Sequence, residues 1–443
     1  MSIPVIRHDA LQITSPKRKP GAQGGWHGFF PYYAGFPESF ASSLIVSAGL
    51  PEDAVIADPW NGSGTTTYAA SALGFDTAGI DLNPVMVIVA RARLLGRSEA
   101  DSLEPLCLEI IRRARDKLSA SELRDRDPLR TWFDDPTAQT VRSLERSLRT
   151  RLVGGMTITA KGLKLENISG LAATFYVALF SLCRELAAPF RSSNPTWIRT
   201  PKASEERIAV SGEEIGMRLL GKILEMARAL TGEDRSPSLF SGRAGEARLA
   251  VGDTTRSALP ASSADMILTS PPYCTRIDYT AATRVELAVL DELTGSSVEV
   301  MRRQMIGSTL APQSRINKTQ AFGPTCISFL ERLKRHPSKA STGYYYTTHT
   351  DYYRKMVLSM RGVTAALRPG GSAVLIVQDS YYKEIHNDLP QIITEMGEIC
   401  GLKLRRREDF RMGRTMAGIN PKTRAYKRDM GAIEAVLCFV KQL

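Results

Sequence analysis

Short β-branched or apolar runs, each closed by turn-forming residues, recur along the chain as AVIADPW (54–60), TAGIDLN (77–83), ARLAVGD (247–253), ADMILTSPPY (264–273) and SAVLIVQDS (372–380). Continuous apolar runs of this length read as strands buried on both faces, the habit of a parallel sheet. The segment TTTYAASALG (65–74) joins the first two, and its small residues and final glycine predict a short helix closing a βαβ unit. Two further runs, LKLRRRED (402–409) and IEAVLCFVK (433–441), predict a terminal hairpin with a long connection.

Two stretches break this rhythm, at about 97–245 and 294–346, and read as mostly helix and loop. In the first, SLEPLCLEIIRRARDKL and EEIGMRLLGKILEMARAL carry apolar residues at helical spacing with basic residues between them, the pattern of ordinary amphipathic packing. The 443 residues therefore suit one α/β catalytic fold in three pieces, 20–96, 246–293 and 347–443, interrupted by a helical insertion at 97–245 and a second insertion at 294–346.

Composition adds a partner class. Hydrophobic residues at 43% and charged residues at 23% fit a folded chain, and the net charge of +12 sets up a field that attracts polyanions, with nucleic acid the natural partner. The excess concentrates at 403–429, where Lys403, Arg405, Arg406, Arg407, Arg411, Arg414, Lys422, Arg424, Lys427 and Arg428 face only Glu408, Asp409 and Asp429. That segment reads as a phosphate-contacting surface or as a solvated charged loop. The six cysteines are scattered without a CxxC pair, so neither a metal site nor a disulfide framework is expected. The opening residues lack a secretory apolar core, and no run of about eighteen apolar residues occurs, so the expected location is the cytoplasm.

Candidate chemistry lies at the ends of the predicted strands. In Asp58-Pro59-Trp60-Asn61-Gly62-Ser63-Gly64-Thr65, the glycines at 62 and 64 let the backbone turn sharply and approach a ligand. The run lacks the GK[ST] ending of a phosphate-gripping loop and the third glycine of a dinucleotide fingerprint. Asp81, in Gly79-Ile80-Asp81-Leu82-Asn83-Pro84, ends the second strand where a carboxylate can grip the two hydroxyls of a ribose. Asp253 reads either as an acceptor for an adenine amino group or as a loop cap. In Thr269-Ser270-Pro271-Pro272-Tyr273, two prolines stiffen a turn, so the Ser270 hydroxyl and Pro271 carbonyl can converge as acceptors beside an aromatic wall, Tyr273. Such a turn suits a planar amine, whose lone pair is drawn toward an electrophilic methyl. Cys274 reads as a packing residue; Arg276 and Asp278 read as lining the pocket mouth, or, for Asp278, as a surface acid.

These motifs resemble those of the bacterial amino DNA methyltransferases that modify cytosine N4 or adenine N6. DPWNGSGTT is similar to their cofactor motif, with Trp60 where Phe is common, GIDLNP to their acidic ribose motif, and TSPPY to their catalytic motif in the serine form most frequent among cytosine-N4 enzymes. HGFFPYYAGFP (27–37) resembles the segment that folds over the methionine end of the cofactor. The resemblance covers roughly half the chain; the insertions lie outside it.

It implies an α/β, Rossmann-like, seven-stranded class I methyltransferase sheet, parallel except for its last strand, and S-adenosyl-L-methionine as cofactor. It also implies a cofactor site of Phe30, Tyr32, Asp58, Trp60, Asn61, Gly62, Ser63, Gly64, Thr65, Asp81, Leu82, Asn83, Asp253 and Thr269, and a catalytic turn of Ser270, Pro271, Pro272 and Tyr273. The resemblance makes stretch 97–245 a candidate target-recognition region, but the family pattern has no second insertion, so which of 97–245 and 294–346 reads bases stays open. The implied reaction flips a base out of DNA and transfers methyl directly to an exocyclic amine, cytosine N4 first, without a metal or a covalent enzyme intermediate. A cognate restriction nuclease is an implied companion. Adenine N6, an RNA or protein-glutamine amide, and a non-catalytic cofactor-binding subunit on DNA are the alternatives; intact Ser270 to Tyr273 argues against the last.

Overall fold

The computed structural model describes residues 6–17, 29–30, 35–117, 123–154, 165, 168–192, 197–203, 205–232, 244–274, 278–295, 298–310, 320–412 and 432–442. Helix α1 (Glu38–Ser47) leads into β1 (Val55–Asp58), α2 (Thr65–Ala72), β2 (Asp76–Asp81) and α3 (Pro84–Arg93). Four helices follow: α4 (Ala100–Asp116), α5 (Asp135–Leu148), α6 (Gly170–Leu186) and α7 (Gly212–Thr231). After β3 (Ala247–Val251) and β4 (Ala264–Thr269) come α8 (Arg284–Val289), α9 (Asp291–Thr294), α10 (Val298–Gln304), α11 (Pro324–Arg335) and the long α12 (Tyr346–Ala366). The chain ends through β5 (Leu367–Gln378), a small hairpin of β6 (Ser380–Tyr382) and β7 (Ile385–Asn387), α13 (Leu389–Ile399), β8 (Leu402–Met412) and β9 (Ala432–Lys441).

The main sheet has seven strands in the order β3-β2-β1-β4-β5-β9-β8. Strands β1 to β5 run parallel, while β9 is antiparallel to both β5 and β8, so all seven strands expected from the apolar runs are present. From β1 the chain winds outward to β2 and β3, then returns to place β4 and β5 on the other side. The strand order therefore reverses between β1 and β4, and a crevice opens there outside the carboxyl ends, where open α/β sheets bind ligands.

Alternate residues of each strand face opposite ways. Ile56, Met266, Leu268, Val374, Ile376, Val436 and Cys438 share a core with α1 and α2. Ala57, Ile267, Leu375, Val377, Ala435 and Leu437 pack instead against α11, α12 and α13. Stretch 294–346 is therefore no separate lobe: Cys326, Phe329, Leu330 and Leu333 of α11 lie in the core that covers the sheet.

The first insertion packs around α3. Residues of α3 through α7 and of α8 form one apolar cluster, and both amphipathic segments read from the sequence are helices, α4 and α7. Side-chain caps set the helix starts: Asp134, Ser169 and Ser211 accept from the N–H groups of Thr137, Ala172 and Glu214. A buried ion pair fastens this bundle to the catalytic side, because Arg142 meets Asp127 at 2.8 Å and donates to the Ala288 and Val289 carbonyls at 2.8 and 2.7 Å. Those carbonyls close α8, the helix that follows the catalytic turn.

Candidate active site

The loop after β1 is shaped by backbone geometry. Gly62 and Gly64 have φ of 47° and 79°, in the left-handed region that favours glycine. A Cβ on Gly64 would stand 2.6 Å from the Ala90 Cβ, and one on Gly79 would stand 2.6 Å from the Asn61 Cγ. The loop is also tied down: Asn61 N–H donates to the Ile80 carbonyl at 2.9 Å, Thr67 donates to the Asn61 Oδ1, and Arg93 donates to the Ser63 carbonyl and the Thr65 hydroxyl. The result is a rigid cradle at the sheet's carboxyl edge.

Asp81 faces this cradle from the end of β2. Its Oδ2 accepts from Gly62 N–H at 3.0 Å and its Oδ1 from Asn83 N–H at 2.8 Å, which fixes the carboxylate across the crevice. Each oxygen keeps acceptor capacity for a hydroxyl. Burial pushes the Asp81 carboxyl up to about 6 against the pull of those two bonds. The cradle and this acid fit a nucleoside-bearing cofactor.

Other expected cofactor residues act on the protein itself. Asn83 is buried, caps α3 through Val85 N–H and donates to the Thr283 hydroxyl at 2.8 Å, so it joins the cofactor loop to the segment beyond the catalytic turn. Asp253 accepts from the backbone and hydroxyl of Thr255 and pairs with Arg256 at 3.6 Å, the bonds of a loop cap. Thr269 is fully buried and donates to Asp58 at 2.5 Å, so it holds the cofactor loop from beneath. Trp60 and Leu82 pack against the cores on the two sides of the loop, and Phe30 joins the core of the helical insertion with its ring 5.6 Å from the Arg184 guanidinium. Tyr32 and Arg276 lie outside the described residues.

The turn Ser270 to Tyr273, expected to be catalytic, leaves β4 beside the cradle. Ser270 donates to the Ile376 carbonyl at 3.1 Å, which leaves the hydroxyl's lone pairs as acceptors, and no described residue donates to the Pro271 carbonyl. Pro272 is fixed from below by Tyr352 of α12, whose hydroxyl donates to its carbonyl at 2.8 Å. Tyr273 N–H donates to the Tyr279 hydroxyl at 3.2 Å, and the charge of Asp81 is felt at that phenol, which burial raises to about 12. Tyr279 thus holds the 270–273 turn and lies within the field of Asp81. Cys274 is buried packing, and Asp278 is a buried junction that caps Ala281 and accepts from Arg302 and Thr309.

Several residues of this neighbourhood were not singled out in the sequence. Glu434, on β9, accepts from the Tyr273 hydroxyl at 3.4 Å. Asp379, just past β5, accepts from Ile433 N–H and meets the His386 imidazole at 2.9 Å, and Tyr381 stacks on that imidazole at 4.7 Å. The Glu434 and Ile433 contacts depend on strand neighbours far apart in the chain, so no local motif could have disclosed them. Of the basic stretch at 403–429, the described part forms the edge strand β8. There Arg406 pins the carbonyls of His8, Asp9 and Leu11, Arg407 pairs with Asp409, and Lys403, Arg405 and Arg411 are exposed. Residues 413–431 lie outside the described residues.

Among the described residues no helix is long and apolar enough to cross a membrane. Residues 9–91 match the family model N6_N4_Mtase, DNA methylase, a span that contains the glycine cradle and Asp81 and ends before the catalytic turn. Type II methyltransferase M.BsoBI of Geobacillus stearothermophilus is 24% identical over 372 residues, covering 81% of this chain and 69% of that one. Solved structures resembling the chain include an S-adenosylmethionine-dependent methyltransferase of Methanosarcina mazei (TM-score 0.32, 9% identity, 90% of this chain and 97% of that one). Another is the rRNA methyltransferase aviRa of Streptomyces viridochromogenes (TM-score 0.29, 11% identity, 96% and 94%). The sheet order and the glycine cradle thus accompany a match to the DNA methylase model over residues 9–91 and a likeness to a type II methyltransferase over most of the chain.

Proposed function

We propose that the chain methylates the N4 amine of cytosine in DNA, with Ser270, Pro271, Pro272 and Tyr273 as the catalytic turn. The observation that carries this reading is the adjacency of β1 and β4: the two strands pair in parallel, and the Thr269 hydroxyl bonds Asp58 across them. The residues that would hold the cofactor and those that would hold the amine therefore leave the same edge of the sheet side by side.

In this reading the Gly62 and Gly64 backbone approaches the cofactor while Asp81 accepts from its ribose. S-adenosylmethionine supplies an electrophilic methyl group. The Pro271 carbonyl and the Ser270 hydroxyl accept from the amine, so that its lone pair leaves the plane of the ring and points at the methyl. Tyr273 offers its face to a base that has left the stack, and the basic excess favours a polyanionic substrate. The serine form of the turn supports cytosine over adenine.

Expression in cells lacking DNA methylation, followed by nucleoside analysis and mapping of modified bases, tests the target. N4-methylcytosine at a recurring sequence is expected; N6-methyladenine in its place would move the target to adenine. Unmodified DNA from cells producing folded protein would overturn the reading.

A further inference from the structure

We propose that Glu434 is a positioning residue that fixes the Tyr273 ring in the base pocket by accepting a hydrogen bond from its hydroxyl. The proposal rests on the reading of Tyr273 as the wall on which the target base stacks.

Strand register brings the three residues together. Thr269 pairs with Leu375, and Gln378 pairs with Glu434, so Ser270, Ile376 and Glu434 project from the same face of three successive strands. Two strand spacings and two residues along the strand separate Ser270 from Glu434, roughly 12 Å. Tyr273 bridges that gap: its hydroxyl lies 3.4 Å from the Glu434 Oε1. The separation exceeds that of a tight O–H···O bond, as catalytic contacts commonly do before substrate is bound. At its other end the residue is held by the bond from its backbone to Tyr279. The ring is thereby pinned from both sides.

Glu434 is costly where it stands. It is 6% exposed, and its Oε2 has no hydrogen-bond partner among the described residues. The neighbours on its face of β9, Val436 and Cys438, are apolar and buried, so an aliphatic side chain would suit the strand better. Burial raises the carboxyl above its ordinary value, opposed by the bond from Tyr273 and the charge of Lys17. Burial and the neighbouring carboxylate also raise the Tyr273 phenol, which keeps it protonated and a donor. A strained acid in contact with the catalytic turn is what a site-shaping residue looks like.

The test is steady-state methylation of unmethylated plasmid DNA with radiolabelled S-adenosylmethionine. Glu434→Leu and Tyr273→Phe should each lower kcat about 10-fold, with KM for the cofactor within about twofold, and the double variant should be no slower than the slower single, as for residues acting as a unit. Glu434→Gln, whose amide oxygen accepts the same bond, should stay within about threefold of wild type. An unchanged kcat in Glu434→Leu, losses that multiply in the double variant, or Glu434→Gln falling as far as Glu434→Leu would each overturn the proposal. Should Glu434→Leu fail to fold, Tyr273→Phe decides: a wild-type kcat refutes the anchor. A wild-type protein that transfers no methyl to DNA removes the stacking reading and this proposal with it, whereas an active wild type with an equally active Glu434→Leu removes the proposal alone.

Discussion

The Thr269 hydroxyl donates to the Asp58 carboxylate at 2.5 Å, across the β1/β4 boundary where the sheet reverses its winding. Thr269 is the last residue before the catalytic turn and Asp58 the last before the cofactor cradle, so one bond sets the spacing of the two loops. Thr269→Val keeps the shape and removes the donor. It should cost about 1–3 kcal/mol in urea denaturation, because a buried acceptor is left short of a partner. Cofactor affinity, read by calorimetry, should fall with it.

Asp58 also carries a pH signature. Burial, opposed by bonds from the Thr269 hydroxyl and Trp60 N–H, raises its carboxyl from 3.8 to about 6, so the folded chain takes up a proton at higher pH than the unfolded chain. The linkage sign follows: the group favours folding most below 3.8, loses that contribution as pH rises from 3.8 to about 6, and adds no slope above. The change is on the order of 2–3 kcal/mol. Denaturation across this range should show Asp58→Asn lacking that descent relative to wild type.

Asp81 gives the opposite sign for binding. In the proposed reading its ionised form accepts from the ribose hydroxyls, and burial pushes its carboxyl up to about 6. Cofactor affinity should therefore weaken as pH falls below that value and level off above it. Asp81→Asn should flatten the profile.

The cradle glycines should tolerate nothing larger. Gly64→Ala places a Cβ 2.6 Å from that of Ala90 at a φ of 79°, and strain of about 1–3 kcal/mol precedes any steric cost. Loss of measurable cofactor binding is expected. Gly221, in α7, is the control, because a methyl added there would meet no atom within 4 Å: Gly221→Ala should stabilise the fold by about 0.5–1 kcal/mol.

Arg142 tests how the insertion is held. Removing this buried guanidinium strands Asp127 and frees the carbonyls that close α8, so Arg142→Ala should cost about 3–5 kcal/mol in chemical denaturation. The paired change Arg142→Met with Asp127→Leu should recover part of that loss, since the Asp127 charge goes with its partner and the buried Glu145 keeps Arg149 at 3.6 Å.

The strands were legible because each is an apolar run stopped by turn residues, and the cradle because glycines at 62 and 64 and the acid at 81 fall just past strand ends. Local sequence said much less about residues that work by bonding to the protein. Asn83 reads as a cofactor contact in the sequence, and nothing local shows that it also caps α3 and reaches Thr283, 200 residues away. Glu434 sits in a run of apolar residues, and its partner lies 161 residues earlier; only the β5/β9 register brings them together. The β6/β7 hairpin escapes notice because two three-residue strands in SYYKEIHN leave no period to read. The role of α11 is hidden for a similar reason: its apolar stripe shows amphipathicity but not which surface it covers.

If one crevice serves both the methyl donor and the amine, disabling the catalytic turn should leave the donor's site intact. Cofactor binding and single-turnover methyl transfer to DNA, measured together on Ser270→Ala with Tyr273→Ala, decide the matter. The Kd for S-adenosylmethionine should stay within about threefold of wild type while transfer slows by about 100-fold or more, because only the orientation of the amine is lost. Transfer at the wild-type rate would refute the shared crevice.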